Sequence, residues 1–124
     1  MAHGLIQGQY SIAIGGSAAG LSQSNYAIAL GFEAGYSNQG PDTIAIGRDA
    51  GALNQSNEAI AIGTNAGYSN QTGSSIAIGL NAGAFGATAG STQGQGLNAI
   101  AMGINAGSTN QGTSAIAIGD QSGI

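Results

Sequence analysis

The sequence predicts an all-β fold, a parallel β-solenoid of about seven 16-residue coils, and three observations carry that prediction. A four-residue phrase, Ile-Ala-Ile-Gly, recurs at 12–15, 44–47, 60–63, 76–79 and 116–119, with variants Ile28-Ala29-Leu30-Gly31 and Ile100-Ala101-Met102-Gly103. Its first Ile stands at 12, 28, 44, 60, 76, 100 and 116, so the steps are 16, 16, 16, 16, 24 and 16. Glycine is 24 of 124 residues while charged residues are only 5%. Low charge with apolar residues in strict register argues for order rather than disorder, and glycine has no period of three, which excludes a collagen-like chain.

Counting each repeat from its first Ile as phase 1, the elements follow in order. Phases 1 to 3 are Ile-Ala-Ile or a close variant, and the apolar period of two is a strand signal. Phase 4 is Gly in all seven copies (Gly15, Gly31, Gly47, Gly63, Gly79, Gly103, Gly119). Such a position ends the strand because the chain must turn there with positive φ. Phase 6 is polar throughout: Ser17, Glu33, Asp49, Asn65, Asn81, Asn105 and Gln121. Phase 7 is Ala in six copies and phase 8 is Gly in six. Phase 11 is Asn at Asn38, Asn54, Asn70 and Asn110, and phase 12 is Gln. A helical repeat fails, since sixteen residues do not hold two helices with turns and two fixed glycines would each cost a helix about 1 kcal/mol.

Successive coils of a solenoid rise by about 4.8 Å, so each phase becomes a column along a rod roughly 35 Å long. The column at phase 12 predicts an amide ladder of Gln7, Gln23, Gln39, Gln55, Gln71 and Gln111. Both faces of the strand are apolar: Ile, Leu or Met at phases 1 and 3, mostly Ala at phases 2 and 16. A strand with one wet face would alternate with charge, so this one is expected to be covered on both sides, by its own coil and by a second subunit. The large side chains are expected inside, opposite the small Ala of phase 7. That makes the structural core Ile12, Ile14, Ile28, Leu30, Ile44, Ile46, Ile60, Ile62, Ile76, Ile78, Ile100, Met102, Ile116 and Ile118. The Ala face would then let subunits approach closely; the reverse orientation is the alternative.

The whole chain, 1–124, reads as one repeat domain with an eight-residue insertion within about 84–94. Solenoid insertions map to surface loops, which makes Phe85, Thr88, Ser91 and Thr92 a candidate binding loop against the plainer reading of a functionless bulge. The last coil stops at Gly123-Ile124 without a polar cap. Uncapped solenoid ends invite edge pairing, so either a fragment of a longer fibre or an end-to-end filament is expected.

The phrase Ile-Ala-Ile-Gly-x-x-Ala, as in Ile44–Gly47 with Ala50, resembles the head repeat of trimeric autotransporter adhesins, the YadA-like head repeats, and related repeats of phage and virus fibres. The resemblance runs over about residues 7–124. It implies a left-handed parallel β-roll, three chains around one axis, and a role in attachment at an extracellular, cell or virion surface. This repeat is longer than the family's usual one by a polar Asn-Gln bend. No stalk heptads and no membrane anchor accompany the repeats, so the resemblance points to a head fragment or a free-standing relative.

Other classes are weaker. The chain has a single Lys or Arg, Arg48, and a net charge of −4, which gives no basic footprint for nucleic acid or for an anionic membrane. No apolar run approaches the ~20 residues of a membrane span. Met1-Ala2-His3-Gly4 has neither a basic start nor an apolar stretch, so no signal peptide is visible. Absent cysteine excludes disulfides and thiolate metal sites. Acids stack in pairs, Glu33 with Asp49 and Asp42 with Glu58, at a spacing that suits a cation, yet Arg48 beside Asp49 is the simpler partner and solvated acids the plainer reading. His3 is the only His, with no nucleophile in a recurring neighbourhood, so no catalysis, cofactor or metal is expected. Gly15–Gly20 is glycine-rich but has no Lys, so it is no phosphate loop. Asn54-Gln55-Ser56 and Asn70-Gln71-Thr72 match a glycosylation acceptor, a match that repeat geometry explains. Tyr26, Tyr36 and Tyr68 are expected to cover coil edges, with sugar stacking as the alternative. An ice-binding solenoid would need a Thr column, and the threonines scatter over several phases.

The reading is therefore a structural and attachment protein, a rigid homotrimeric β-roll without catalysis. A self-assembling extracellular filament is the first alternative and an ice-binding solenoid the second. The expected partners are further copies of the chain, as homotrimer or end-to-end filament, and a host-surface protein or glycan.

Overall fold

A computed structural model describes residues 6–84 and 94–123, and these contain no α-helix. They form a parallel β-solenoid of two sheets. The seven-stranded sheet collects the Ile-x-Ile strands: β2 (Ile12–Ile14), β4 (Ile28–Leu30), β6 (Ile44–Ile46), β8 (Ile60–Ile62), β10 (Ile76–Ile78), β11 (Ile100–Met102) and β12 (Ile116–Ile118). The five-stranded sheet runs β1 (Ile6–Gln7), β3 (Ser22–Gln23), β5 (Ser37–Gln39), β7 (Leu53–Gln55), β9 (Ser69–Gln71). Pairing joins equal phases: Ile44 opposes Ile60, Ala45 opposes Ala61, and Gln55 opposes Gln71. The 24-residue step keeps register too, since Ile76 opposes Ile100. The phase-1 amide donates to the phase-16 carbonyl that closes the same repeat, as from Ile44 to Ala59 at 3.0 Å.

Glycine at phase 4 is demanded twice. Its φ lies between 117 and 132°, a region closed to side chains. A Cβ on Gly63 would also stand 2.8 Å from the Gly79 carbonyl of the coil above. Phase 8 adopts φ near +55°, as at Gly35 (φ 56°) and Gly51 (φ 54°). A Cβ on Gly35 would lie 2.7 Å from Gln39 Oε1, so the same glycine makes room for the amide behind it.

Three further phases are left-handed without glycine. Phase 6 (Asp49 φ 59°, Asn65 φ 56°), phase 11 (Asn38 φ 56°, Asn54 φ 58°) and phase 15 (Asp42 φ 58°, Asn98 φ 57°) all have positive φ. Short polar side chains tolerate that region best, which explains the Asn and Asp at these corners. Tyr10 and Tyr26 at φ 57° and 60° are the bulky exceptions.

The interior reverses the expected orientation. Ala29, Ala45, Ala61, Ala77 and Ala101 at phase 2 are 0% exposed, as are Ala34, Ala50, Ala66, Ala82 and Ala106 at phase 7. Phase 16 fills the remaining corner with Ala27, Ala59 and Ala99, or with Thr43 and Ser75, whose hydroxyls donate to the Gly40 and Thr72 carbonyls at 2.8 and 2.6 Å. The fourteen residues expected as the core, from Ile12 and Ile14 through Leu30 and Met102 to Ile116 and Ile118, all point outward: none is buried. The physical reason is the glutamine. Its side chain crosses the coil to reach the opposite strand, and with Ala on both walls that fills the space. Opposed Ile side chains would force the sheets apart and break that reach.

Gln23, Gln55 and Gln71 each make the same three bonds, and Gln39 makes two of them. Gln55 Nε2 donates to the Ile44 carbonyl at the start of its own repeat (2.8 Å), to the Ala59 carbonyl at the end of that repeat, just before the next strand (3.1 Å), and to Gln71 Oε1 (3.2 Å). Gln23, Gln39 and Gln71 continue the row, with amide-to-amide distances of 3.1, 3.4 and 3.3 Å to Gln39, Gln55 and Gln95. These amides are 0–1% exposed. Burying an amide is costly unless it is hydrogen-bonded, and here the bonds tie three segments together: two coils of the main strand and the next glutamine.

Two substitutions test this interior. Ala61→Leu is expected to destabilise the fold by about 3 kcal/mol or abolish it, because nothing can move aside; thermal unfolding that matches the parent would place Ala61 outside. Gln55→Glu buries a carboxyl where only an uncharged group is satisfied. Its folded pKa therefore rises above the unfolded ~4.3. Below about pH 4 the group is neutral in both states and the loss is least; the loss grows as pH rises through that value. Urea unfolding at pH 3.5 and 7 reads the difference, and an equal loss at both would contradict it.

Candidate interaction surface

With alanine inside, the outer face of the seven-stranded sheet is a double row of Ile, Leu and Met, one pair per coil at phases 1 and 3. Residues within the row half-cover one another, while those at its two ends stand most open: Ile14 is 59% exposed and Ile118 65%. Phase 5 adds exposed Phe32, Leu80 and Ile104 along the adjoining corner. β-Branched residues at alternate positions make this both a good strand and a flat apolar surface.

The polar columns lie elsewhere. On the outer side of the second sheet Asn38, Asn54 and Asn70 form an amide ladder, Nδ2 to Oδ1 at 3.0 and 3.1 Å. A second ladder, Asn65 to Asn81 to Asn105 at 3.1 and 3.0 Å, runs up phase 6. Among the six glutamines expected to stack, Gln23, Gln39, Gln55 and Gln71 lie together in the interior row. Gln7 is exposed on β1, and Gln23 Oε1 has no hydrogen-bond partner, so the row starts at Gln23. Gln111 keeps its bonds to the Ile100 and Ala115 carbonyls (2.7 and 3.0 Å), but its Oε1 has no partner. Gln95 occupies the position between them and bonds to the Ala99 carbonyl at 3.1 Å. It lies five residues before Ile100, as Gln23 lies five before Ile28. Counting back from the next Ile would have found it; counting forward from Ile76 across the insertion does not.

The insertion itself can be bracketed. Ser69 N donates to the Ala84 carbonyl at 3.1 Å, the phase-9 pattern, and Gln95 follows in the phase-12 row. Ala84 thus stands at phase 9 and Gln95 at phase 12, and the extra residues fall between them in sequence. The candidate loop residues Phe85, Thr88, Ser91 and Thr92 all lie outside the described residues, as does His3.

The charged side chains sit at corners. Arg48 Nε is 3.7 Å from Asp49 Oδ2, and Ser74 Oγ donates to Glu58 at 2.9 Å. Glu33, Asp49, Asn65 and Tyr68 line a shallow depression of about 410 Å³. Tyr10 and Tyr26 stack on the surface, centroids 5.5 Å apart and planes within 10°, whereas Tyr36 lies over Gly20, where a Cβ would meet its ring at 2.5 Å. Among the described residues no group of three or more His, Cys, Asp or Glu could hold a metal ion, and no helix is long and apolar enough to cross a membrane. What the outer sheet presents is a broad apolar face of Ile, Leu and Met, a surface suited to association.

Comparison with known proteins agrees with that geometry. No curated protein and no solved structure matches the chain. The family model that does match is that of the YadA head domain repeat, and it matches twice. Its two copies cover coils on either side of the insertion. Residues 39–66 and 95–122 of this β-solenoid are therefore similar to the YadA head domain repeat, and each copy includes two of the strand phrases and two interior glutamines, Gln39 and Gln55 in the first and Gln95 and Gln111 in the second.

Proposed function

We propose that the chain is a structural and attachment protein, three copies of which pack into a rigid β-roll of an adhesin head or surface fibre, outside the cell or on a virion. The observation that carries this is the outward Ile row. It leaves on the order of 1,000 Å² of apolar surface in one face, beyond the roughly 300–600 Å² of the largest patch on a typical monomer and close to the ~800 Å² per partner of a stable interface. Burying it against equivalent rows removes that surface from water, and a rod with chemically identical rows favours copies of itself as partners. The matched head repeats support the same reading and the surface location. Function then follows from rigidity and multivalent display, with ligand contact left to corners and loops.

Light scattering tests the reading. The assembly is expected at about three times 11.9 kDa. Ile46→Asp combined with Ile62→Asp is expected to give a folded species near 11.9 kDa, since both side chains lie outside the coil. A parent chain of monomer mass would contradict the proposal, and very large species would favour an end-to-end filament. Binding to glycan or matrix-protein arrays, lost on dissociation, tests the attachment role.

A further inference from the structure

The Ile row can drive association but cannot align it. Phases 1 and 3 are Ile in every coil except for Leu30 and Met102. A copy displaced by one coil, about 4.8 Å, still lays Ile against Ile over most of the row. A repetitive apolar interface needs a feature that does not repeat, the role a single polar residue plays in fixing coiled-coil register.

Charge supplies that feature. Glu33, Asp42, Asp49, Glu58 and Arg48 all fall within residues 33–58, and no Asp, Glu, Lys or Arg occurs from 59 to 119. On the rod this is one narrow belt. Asp49 N donates to the Phe32 carbonyl and Asn65 N to the Arg48 carbonyl, each at 2.9 Å, so Arg48 stands in the phase-5 column between Phe32 and Thr64, beside the Ile row. Its side chain is 64% exposed, and its ion pair within the chain uses Nε at 3.7 Å. The two terminal amino groups of the guanidinium, the fork that grips a carboxylate in two-point fashion, have no ion-pair partner among the described residues.

We propose that Arg48 is the register key of self-association, its guanidinium pairing with a belt carboxylate of the neighbouring copy. This rests on the self-association reading above and deepens it. In a closed assembly with its axis along the rod, equivalent residues of all copies lie at one height. Arg48 then meets only groups at its own level, and that level is where the chain places four of its five acids, Asp120 lying in the last coil. The belt carries four acids against one Arg, so it repels its counterparts unless Arg48 is shared across the interface. A one-coil slip moves the guanidinium away from the carboxylates and leaves a partly desolvated charge unpaired, which is strongly unfavourable.

The chain has no cysteine, which makes a disulfide test direct. A chain carrying Ile60→Cys is co-expressed with a mass-tagged chain carrying Ile76→Cys, one coil further on, and the purified assembly is oxidised. With Arg48 present, same-position disulfides are expected and mixed 60–76 disulfides are rare. With Arg48→Gln the mixed species are expected to rise several-fold at unchanged circular dichroism, and with Arg48→Lys they are expected to fall back toward the parent level. Dissociation of a folded Arg48→Gln chain at low salt, reversed at high salt, equally supports the proposal. An Arg48→Gln assembly with the parent's disulfide pattern overturns it alone. A monomeric parent, or an assembly that forms no disulfide at either position, overturns the self-association reading and the register proposal together.

Discussion

Everything in this fold depends on how thin its interior is. Two parallel sheets approach so closely that small residues, chiefly alanine, line the walls, and a single glutamine per coil spans the gap. That amide is the interior side chain that reaches across the coil, bonding beside two neighbouring strands of the main sheet and to the next amide. The requirement propagates outward. Glycine stands at phase 8 in six of the seven copies, where the backbone is left-handed and a Cβ would crowd the amide oxygen; Ala19 is the exception. Alanine must stand at phases 2 and 7 because nothing larger fits. Isoleucine, the largest residue of the strand, is then left on the outside.

The apolar outer face follows from that packing rather than from a separate design for association. A short strand needs β-branched residues to be a strand at all, and strict alternation puts them on one side. If the interior admits only the alanine parity, the isoleucine parity faces out, and the coil by itself leaves it uncovered. In the proposed assembly, stability of the coil and association of the rods are thus coupled through one choice of parity. The same repetition that makes the rod regular would make lateral contacts between copies ambiguous in height, and the charged belt is where the proposed assembly breaks that ambiguity.

Much of this was legible in the sequence. The period, the strand phrase, the glycine corners and the glutamine column are identities at fixed spacing. Parity was not legible: Ile-Ala-Ile tells which residues share a face, but not which face is enclosed. The deciding signal was present in the glutamine itself, since a column of amides that must be buried and bonded across the coil leaves no room for opposed isoleucines. The left-handed phase 15 was hidden because Tyr10, Asp42, Glu58, Ser74 and Asn98 share a backbone conformation but no side-chain chemistry. Gln95 was hidden by the insertion, which displaces it from a forward count while leaving its distance to Ile100 unchanged.

Hydrogen exchange at the glutamine side chains, followed residue by residue by NMR, tests the central claim most directly. The Nε2 protons of Gln23, Gln39, Gln55, Gln71 and Gln95 are expected to exchange far more slowly than those of the exposed Gln7 and Gln9. Slow exchange in that set, under conditions where Gln121 exchanges freely, identifies the buried row. Solvent-rate exchange at all of them, with the β-solenoid intact, would show that the glutamines do not span the coil.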